Sequence, residues 1–162
     1  AVIRDRMEEI REGQNFSVFV DYAHTPDSLE KAYSALASAR LICILSGTGG
    51  GRDRWKRPLM GEIAEKHCSH IILTNEDPYD ENPLQIISDI RGGIKNKEAE
   101  VLLDRREAIR RALTLAKKGD AVIITGKGTD PYIMGPRGTR TPWNDAETVR
   151  EELRRRKNTG TM

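Results

Sequence analysis

The segment from Leu41 to Gly61 limits the possible folds most strongly. It begins with the apolar run LICIL, which predicts a strand, and passes through the loop SGTGGGRDRWKR into a helix with Pro58 in its first turn. A glycine-rich loop between a strand and a helix N-terminus presents free backbone N–H groups to an anion. The segment therefore predicts a phosphate or carboxylate site. The same loop carries four cationic side chains: Arg52, Arg54, Lys56 and Arg57.

This loop matches neither standard nucleotide motif. A P-loop has Lys followed by Ser or Thr after its last glycine, and the dinucleotide fingerprint has a different glycine spacing from Gly47, Gly49, Gly50 and Gly51. The alternative is a flexible connection with a solvated basic rim, which the concentration of cations disfavours. Phosphate transfer from ATP also needs Mg²⁺ ligands, and no obvious set is present. The chain is therefore expected to be at most part of an ATP enzyme.

Strands and helices alternate along the rest of the chain. Helical periodicity fills the intervals between apolar runs, and a last helix follows a cap at Asn144 or Asp145. Alternation with short connections predicts an α/β fold, in which a mainly parallel sheet has helices on both faces. The irregular stretch 131–143 is predicted to hold a short hairpin. The predicted strands lie at 16–21, 41–45, 70–74, 101–103 and 121–125.

The chain is long enough for one sizeable core at 162 residues. Residues 1–15 are charged and poor in apolar side chains, so they are predicted to be a lead-in that follows another segment. The domain itself is assigned to residues 16–157, and residues 158–162 are assigned to a tail.

The overall charge argues against a nucleic-acid partner. The formal net charge is only +2, with 27 Lys and Arg against 25 Asp and Glu. The one dense basic run, 154–157, falls at the end of a predicted helix, where cations suit the helix dipole. A solvated helix end is therefore favoured over a polyanion site.

The two cysteines, Cys43 and Cys68, show no CxxC spacing, which predicts a reduced, disulfide-free, cytoplasmic protein. No apolar run approaches the roughly 18 residues that a membrane span needs, so no membrane partner is predicted. His67 and His70 flank Cys68 where a helix passes into a strand. Their side chains are expected to diverge there, so no metal site is predicted.

Five loops are expected at one edge of the sheet, because the carboxyl ends of parallel strands lie together and ligands collect there. Nearly every chemically interesting residue lies in one of these loops, which favours a single polar site over a set of solvated loops. The loops are DYAHTPD, SGTGGGRDRWKR, TNEDPYDENP, LDRRE and TGKGTDPY.

Three of these loops suggest particular ligands. In the first, Asp21, Tyr22 and His24 suit a nucleotide base and ribose better than acid–base catalysis, because no Ser or Cys nucleophile accompanies them. The alternative is that His24 and Asp27 only cap and tether the next helix. The third loop is acidic from Glu76 to Glu81, which suits Mg²⁺, a cationic amine or simple solvation. Lys127 in the fifth loop is a point charge for phosphate or carboxylate.

Four motifs together resemble the C-terminal domain of the Mur ligases. Within that family they are most similar to the branch that adds the third amino acid to UDP-N-acetylmuramoyl-L-alanyl-D-glutamate in peptidoglycan synthesis. The resemblance covers essentially the whole chain, and folylpolyglutamate synthase is similar but less close. The motifs are VDYAHTPDSLEKA at 20–32, GGGRDRWKRPLMGEIA at 49–64, DRREAI at 104–109 and GKG at 126–128.

The resemblance implies a Rossmann-like three-layer domain with a sheet of about six strands, which closes over ATP and brings in the incoming amino acid. In the family, ATP phosphorylates the substrate carboxylate and the amine attacks the acyl phosphate. A preceding central domain carries the P-loop and a carbamylated lysine, and it binds most of the Mg²⁺. The isolated chain is then expected to be an inactive monomer. Residues 1–15 would lead in from that central domain.

The resemblance also assigns roles to individual residues. The nucleotide side is formed by Arg6, Asp21, Tyr22 and His24. The amino-acid side is formed by Arg52, which approaches the carboxylate of the incoming amino acid, together with Asp77, Tyr79, Gly126 and Asp130. No residue is assigned to catalysis or to a metal.

Two departures from the family pattern concern the amino acid. The family sequence DNPR is EDPY here, from Glu76 to Tyr79, and GKGHE is GKGTD, which ends at Asp130. Tyr79 cannot form the paired contact by which the family Arg binds the distal carboxylate of diaminopimelate. Asp77 is expected to repel a carboxylate and attract an ammonium. L-lysine or ornithine is therefore predicted as substrate in preference to meso-diaminopimelate.

Two other classes of function remain open on the residues alone. A free-standing nucleotide- or phosphate-binding module would use the same loops without a partner domain. An interaction domain would use the basic last helix and would bind polyanions in a salt-sensitive way.

Overall fold

The computed structural model describes residues 7–51 and 53–160, and its centre is a six-stranded sheet. The strands lie in the order β1-β2-β6-β3-β4-β5, and every neighbouring pair is parallel except β1 with β2. The predicted α/β fold with a mainly parallel sheet is confirmed. The strands are β1 (Met7–Glu9), β2 (Ser17–Asp21), β3 (Leu41–Leu45), β4 (His70–Leu73), β5 (Glu100–Val101) and β6 (Ala121–Thr125).

Five helices flank the sheet, and a small antiparallel hairpin follows β6. A short 3₁₀ turn at Pro136–Gly138 joins the two strands of the hairpin, β7 (Tyr132–Met134) and β8 (Arg140–Pro142). No helix in the described part of the chain is long and apolar enough to span a membrane. The helices are α1 (Pro26–Ala35), α2 (Lys56–His67), α3 (Pro83–Arg91), α4 (Arg105–Leu115) and α5 (Asp145–Asn158).

The sheet separates two apolar cores. On one face α1, α2 and α3 pack against alternate strand residues such as Cys43 and Leu45. On the other face α4 and α5 pack against the intervening residues, such as Ile42 and Ile44. Because side chains alternate across a strand, a run that is apolar at every position is buried on both faces. This produces the expected three layers.

Side-chain caps start four of the five helices, and at α3 the Asn82 side chain accepts a hydrogen bond from Leu84 N at 3.0 Å. The Thr25 hydroxyl accepts a hydrogen bond from Ser28 N at 3.2 Å, Asp104 accepts from Glu107 N at 3.0 Å, and Asn144 accepts from Glu147 N at 2.8 Å. Each cap satisfies backbone N–H groups that the first helical turn leaves unpaired. The caps fix where the loops of this edge end.

The structure differs from the sequence prediction at the chain start. Residues 1–15 were expected to be a lead-in, whereas Met7–Glu9 form an antiparallel edge strand against β2, and Met7 and Ile10 are buried. Only one residue in this strand is apolar, so its pattern is too short to indicate a strand. The domain limits 16–157 and 158–162 stay a prediction.

Helix α2 also begins earlier than expected, at Lys56 rather than near Pro58. Its N-cap residue Trp55 makes no side-chain capping bond, so no cap in the sequence marks the start. Lys56 is therefore the first residue of the helix, and it lies at the carboxyl edge of the sheet.

The prediction of a disulfide-free chain is wrong for this structure, because Cys43 and Cys68 are joined in a disulfide with a Cα–Cα distance of 6.2 Å. Cys43 lies in β3, and Cys68 lies two residues before β4. Since β3 and β4 are neighbouring strands, Cys68 lies close to Cys43 in the folded chain. That proximity depends on strand order, which the spacing of the cysteines does not reveal. The cytoplasmic location stays a prediction.

Candidate functional site

A cavity of about 170 Å³ lies at the carboxyl edge of the sheet, where β2, β3, β4 and β6 end. Four of the five loops predicted to meet at this edge contribute to its wall. The fourth loop, LDRRE, does not line the cavity. The expectation that chemically active residues gather at one edge therefore agrees with the geometry of the chain.

Six of the nine predicted site residues line this cavity: Tyr22, His24, Asp77, Tyr79, Gly126 and Asp130. Asp21 is fully buried at the end of β2 and is not part of the cavity wall. Arg6 and Arg52 lie outside the described residues. The ligand roles of all nine stay predictions.

Tyr22 and His24 form an aromatic pair on one side of the cavity. Their ring centroids are 5.0 Å apart in an edge-to-face arrangement, and His24 Nδ1 lies 3.1 Å from the Tyr22 carbonyl oxygen. Gly128, with φ of 55°, packs so closely that a Cβ there would lie 2.8 Å from Tyr22 Cβ. Only glycine fits this backbone position. The pair offers apolar ring surface of the kind on which a nucleotide base packs.

Arg57 holds the glycine-rich loop in place through buried hydrogen bonds. It is 2% exposed and donates to both carboxylate oxygens of Glu81 at 2.6 and 3.0 Å, to Asp89 at 2.9 Å and to the Thr48 carbonyl at 3.0 Å. Its hydrogen bonds to Glu81 are the largest of the effects that raise the pKa of Arg57. Its charge is therefore used within the protein and is not available to an anion, which corrects the grouping of Arg57 with the anion-binding cations.

The glycine-rich loop and the acidic loop are also joined through their backbones. Gly49 N donates to the Asp77 carbonyl oxygen at 2.7 Å, and a Cβ at Gly49 would overlap the Pro78 carbonyl. Gly51 N donates to Glu81 at 3.2 Å. The acids of the third loop are thus partly occupied by protein donors rather than simply solvated.

Asp77 and Lys127 form a buried ion pair. Lys127 Nζ donates to both Asp77 carboxylate oxygens at 2.9 Å and to the Tyr132 carbonyl at 2.5 Å, and it is 1% exposed. Met134 N donates to Asp77 at 2.8 Å. The charge of Asp77 is therefore neutralised inside the protein. Lys127 is likewise not available to a phosphate, contrary to the sequence expectation.

Sequence reasoning missed the residue that connects the strand ends, Arg105. Arg105 pairs with both carboxylate oxygens of Asp145 at 2.8 and 2.9 Å, and both side chains are essentially inaccessible. Its remaining N–H groups donate to Ser46 Oγ at 3.1 Å and to the carbonyls of Asn75 and Thr125 at 3.0 Å. Ser46 follows β3, Asn75 follows β4 and Thr125 is the last residue of β6, so one guanidinium joins three strand ends. The loop LDRRE and the motif DRREAI were the sequence signals that contained it.

Glu76 is the second residue that sequence reasoning did not select. It is 4% exposed, lines the cavity and accepts a hydrogen bond from Ser46 Oγ at 2.8 Å. Burial raises the pKa of Glu76, against the opposing charge of Arg105 and the bond from Ser46. A Cβ at Gly126 would overlap its carboxylate, so glycine is needed there for Glu76 to reach the cavity.

The third loop does not form a metal site in the structure. Within residues 7–51 and 53–160 no group of three or more His, Cys, Asp or Glu side chains is arranged to hold a metal ion. Asp80 instead accepts from Arg137 N at 2.7 Å and so ties the loop to the hairpin.

The family described as Mur ligase, glutamate ligase domain, matches residues 5–128 of the chain. Among curated relatives, the UDP-N-acetylmuramoyl-L-alanyl-D-glutamate–2,6-diaminopimelate ligase of Aquifex aeolicus is 45% identical over 90% of the chain. The ligase of the same name from Coxiella burnetii is 46% identical over 91%. The chain spans only 30% and 31% of these two proteins.

Solved structures show the same relationship. A structure of a UDP-N-acetylmuramoyl-L-alanyl-D-glutamate–2,6-diaminopimelate ligase superimposes with a TM-score of 0.86 at 36% identity, covering 95% of this chain and 32% of that one. Folylpolyglutamate synthase from Thermotoga maritima has a TM-score of 0.55 at 18% identity, over 74% of this chain and 26% of that one. The second likeness concerns the fold alone, in agreement with its more distant resemblance in sequence.

The preference for lysine or ornithine over meso-diaminopimelate is contradicted, because these relatives are named for 2,6-diaminopimelate. The structure supplies the physical reason. The prediction assumed that Asp77 faces the substrate with an uncompensated charge, but Lys127 holds both of its carboxylate oxygens. A neutralised pair neither repels a carboxylate nor attracts an ammonium strongly.

Proposed function

The chain belongs to the Mur ligase C-terminal domain family, and on that basis we propose that it is the part of an ATP-dependent ligase that holds the incoming amino acid and closes over ATP. The observation that carries the proposal is the single cavity that joins the Tyr22–His24 pair to the carboxylates of Glu76 and Asp130. A nucleotide and an amino acid can meet at such an edge.

The reaction proposed is the addition of 2,6-diaminopimelate to UDP-N-acetylmuramoyl-L-alanyl-D-glutamate. The names of relatives at 45% and 46% identity support this substrate. The amine nitrogen attacks the carbonyl carbon of an acyl phosphate, a C–N bond forms, phosphate leaves and the nitrogen loses a proton. ATP supplies the phosphoryl group when it is bound. Since the chain spans about a third of its relatives, the remaining parts of the site would come from outside this domain.

On the amino-acid side, Glu76 and Asp130 are the carboxylates proposed to face the amino groups of the substrate. Glu76 is buried and held by Ser46, whereas Asp130 is partly exposed. Burial raises the pKa of Glu76, and shifted pKa values are common among carboxylates at functional sites. Glu76 lines the cavity and is held by Ser46, so it is placed to accept a hydrogen bond from an amino group of the substrate.

On the nucleotide side, Tyr22 and His24 are proposed to contact the base or ribose. Both rings line the cavity, and Gly128 and the Tyr22 carbonyl fix their positions. Asp21 is fully buried at the end of β2 and does not line the cavity, so no direct contact between Asp21 and the nucleotide is proposed. No step of the proposal depends on where Mg²⁺ binds.

A chimeric ligase tests the proposal. This chain would replace the matching C-terminal third of the Aquifex aeolicus relative, and ADP release and product mass would be measured with 2,6-diaminopimelate, L-lysine and L-ornithine. The expected result is ATP-dependent formation of the diaminopimelate product. A chimera that folds, binds ATP and forms no amide would contradict the proposal and favour a nucleotide-binding module.

A variant in the cavity and a control variant away from it test whether the cavity binds ATP. Tyr22→Ala is expected to raise the KM for ATP about tenfold, the loss typical of a base–aromatic contact. Lys66→Gln changes an exposed residue at the far end of α2 and is expected to leave the kinetics unchanged. Thermal melting of both variants separates loss of binding from loss of folding.

A further inference from the structure

We infer that Lys56 binds the second carboxylate of the incoming amino acid and so decides whether a diamino dicarboxylate is preferred over a diamino monocarboxylate. The inference rests on the function proposed above. Its starting point is the substrate: 2,6-diaminopimelate carries two carboxylates, and a carboxylate that enters a partly buried cavity needs a cation or several donors.

The cavity wall contains two cationic side chains, Lys56 and Arg57. Arg57 already donates four hydrogen bonds, to Glu81, Asp89 and the Thr48 carbonyl. Lys127 lies behind the wall and is bound to Asp77. Of the described cations at the site, two of three are therefore neutralised by the protein itself.

Lys56 is the third cation, and it differs from the other two. It is partly exposed, and within the described residues it forms no ion pair with any carboxylate. Lys56 is the first residue of α2, and its backbone N–H donates to the Asp53 carbonyl at 3.2 Å. A rigid helix start therefore carries an uncompensated ammonium at the cavity, while the four-carbon stem lets the ammonium reach a ligand.

The neighbouring wall residue Tyr79 cannot supply the missing charge. It is held by a hydrogen bond from its N–H to the Met134 carbonyl at 3.1 Å, in a left-handed backbone conformation with φ of 53°. Its side chain lines the cavity and offers one neutral O–H donor. A carboxylate between Lys56 and Tyr79 would receive one charged and one neutral donor.

The charges at the cavity then match the substrate. Glu76 and Asp130 face amino groups, and Lys56 faces the distal carboxylate. By the family resemblance, the carboxylate next to the reacting amine is left to Arg52, which lies outside the described residues. L-lysine lacks the distal carboxylate, so binding it would leave the Lys56 ammonium without a partner.

The test compares Lys56→Gln with the parent chimeric ligase, with 2,6-diaminopimelate and L-lysine as alternative substrates. Lys56→Gln is expected to raise the KM for diaminopimelate about tenfold or more, as expected for the loss of a charge-assisted contact, with kcat within about twofold. The KM for L-lysine should stay the same. Lys56→Arg should retain most of the preference, and Lys66→Gln on the same helix should behave as the parent.

The outcomes separate the two proposals. A parent chimera without diaminopimelate activity overturns the proposed function and this inference with it. An active parent whose Lys56→Gln variant keeps its KM for diaminopimelate overturns the inference alone. An equal rise in KM for both substrates also overturns it, because the contact would then not involve the distal carboxylate. The ¹⁵N NMR spectrum of the 162-residue chain carrying Lys56→Gln verifies that the variant folds.

Discussion

Two clusters of charged residues join the same pair of helices, α4 and α5, and they differ in burial. In the inner cluster, Arg105 meets Asp145 next to the cavity, and both side chains are at most 1% exposed. In the outer cluster, Glu152 is bound by three arginines that are themselves 39% to 52% exposed. The chemistry is the same, but the inner pair has no access to water.

This difference explains how the two clusters are built. Without water, every N–H of Arg105 needs a protein acceptor, and the structure supplies Ser46, two strand-end carbonyls and Asp145. The inner cluster therefore shapes the cavity. Around Glu152, water can replace a lost arginine, so that cluster contributes stability without fixing the site. Four variants test this comparison.

Arg105→Ala should have the largest effect. It leaves Asp145 buried without its cation, which typically costs about 3–5 kcal/mol in the free energy of unfolding. Urea unfolding followed by circular dichroism measures this loss, and Arg110→Ala on the same helix is the matched control. A loss no greater than that of the control would mean that water reaches Asp145.

The double variant Arg105→Met with Asp145→Leu should be much less destabilising than Arg105→Ala. Removing both charges leaves no unpaired ion, so the expected loss is within about 2 kcal/mol. Trp143 loses its acceptor in this variant, because its Nε1 donates to Asp145 at 2.7 Å. If the double variant is as unstable as Arg105→Ala, the backbone carbonyls rather than Asp145 need the guanidinium.

Glu152→Gln should show how the outer cluster responds to pH. Hydrogen bonds from Arg110, and then from Arg106 and Arg155, lower the pKa of Glu152 to about 2 from the usual 4.5, although burial acts in the opposite direction. The lowered pKa stabilises the folded chain fully above pH 4.5, and this stabilisation is lost as the pH falls towards 2.

The free energy of unfolding of the parent should therefore exceed that of Glu152→Gln by about 1–2 kcal/mol near pH 6. This value allows for the screening of the exposed arginines by solvent. The difference should disappear near pH 2. Urea unfolding at a series of pH values measures it. A difference that stays constant across the range would indicate a packing effect instead of a charge effect.

Arg110→Gln should have the smallest effect, about 0.2–1 kcal/mol, since Arg106 and Arg155 still contact Glu152. The loss should shrink as NaCl is added, because exposed ion pairs are screened. Unfolding at low and high salt measures it, and a salt-independent loss above this range would show that the outer cluster behaves like the inner one.

Local patterns in the sequence were sufficient for most of the fold. Runs such as LICIL and AVIIT are apolar at every position, and the caps at Thr25 and Asp104 mark helix starts within a few residues. Strand β1 was not predicted, because it has only three residues and one apolar side chain. The disulfide was not predicted, because it depends on β3 lying next to β4.

The sequence by itself determined the three-layer α/β fold, the edge at which the loops meet and the family, since these depend on short-range patterns and motif order. Only the tertiary structure decided which charges remain available at that edge. Asp77 and Lys127 are 50 residues apart in the chain, and Arg57 and Glu81 are 24 apart. Whether such residues neutralise each other depends on their distance and burial in the folded chain. The wrong substrate prediction followed from treating Asp77 as unpaired.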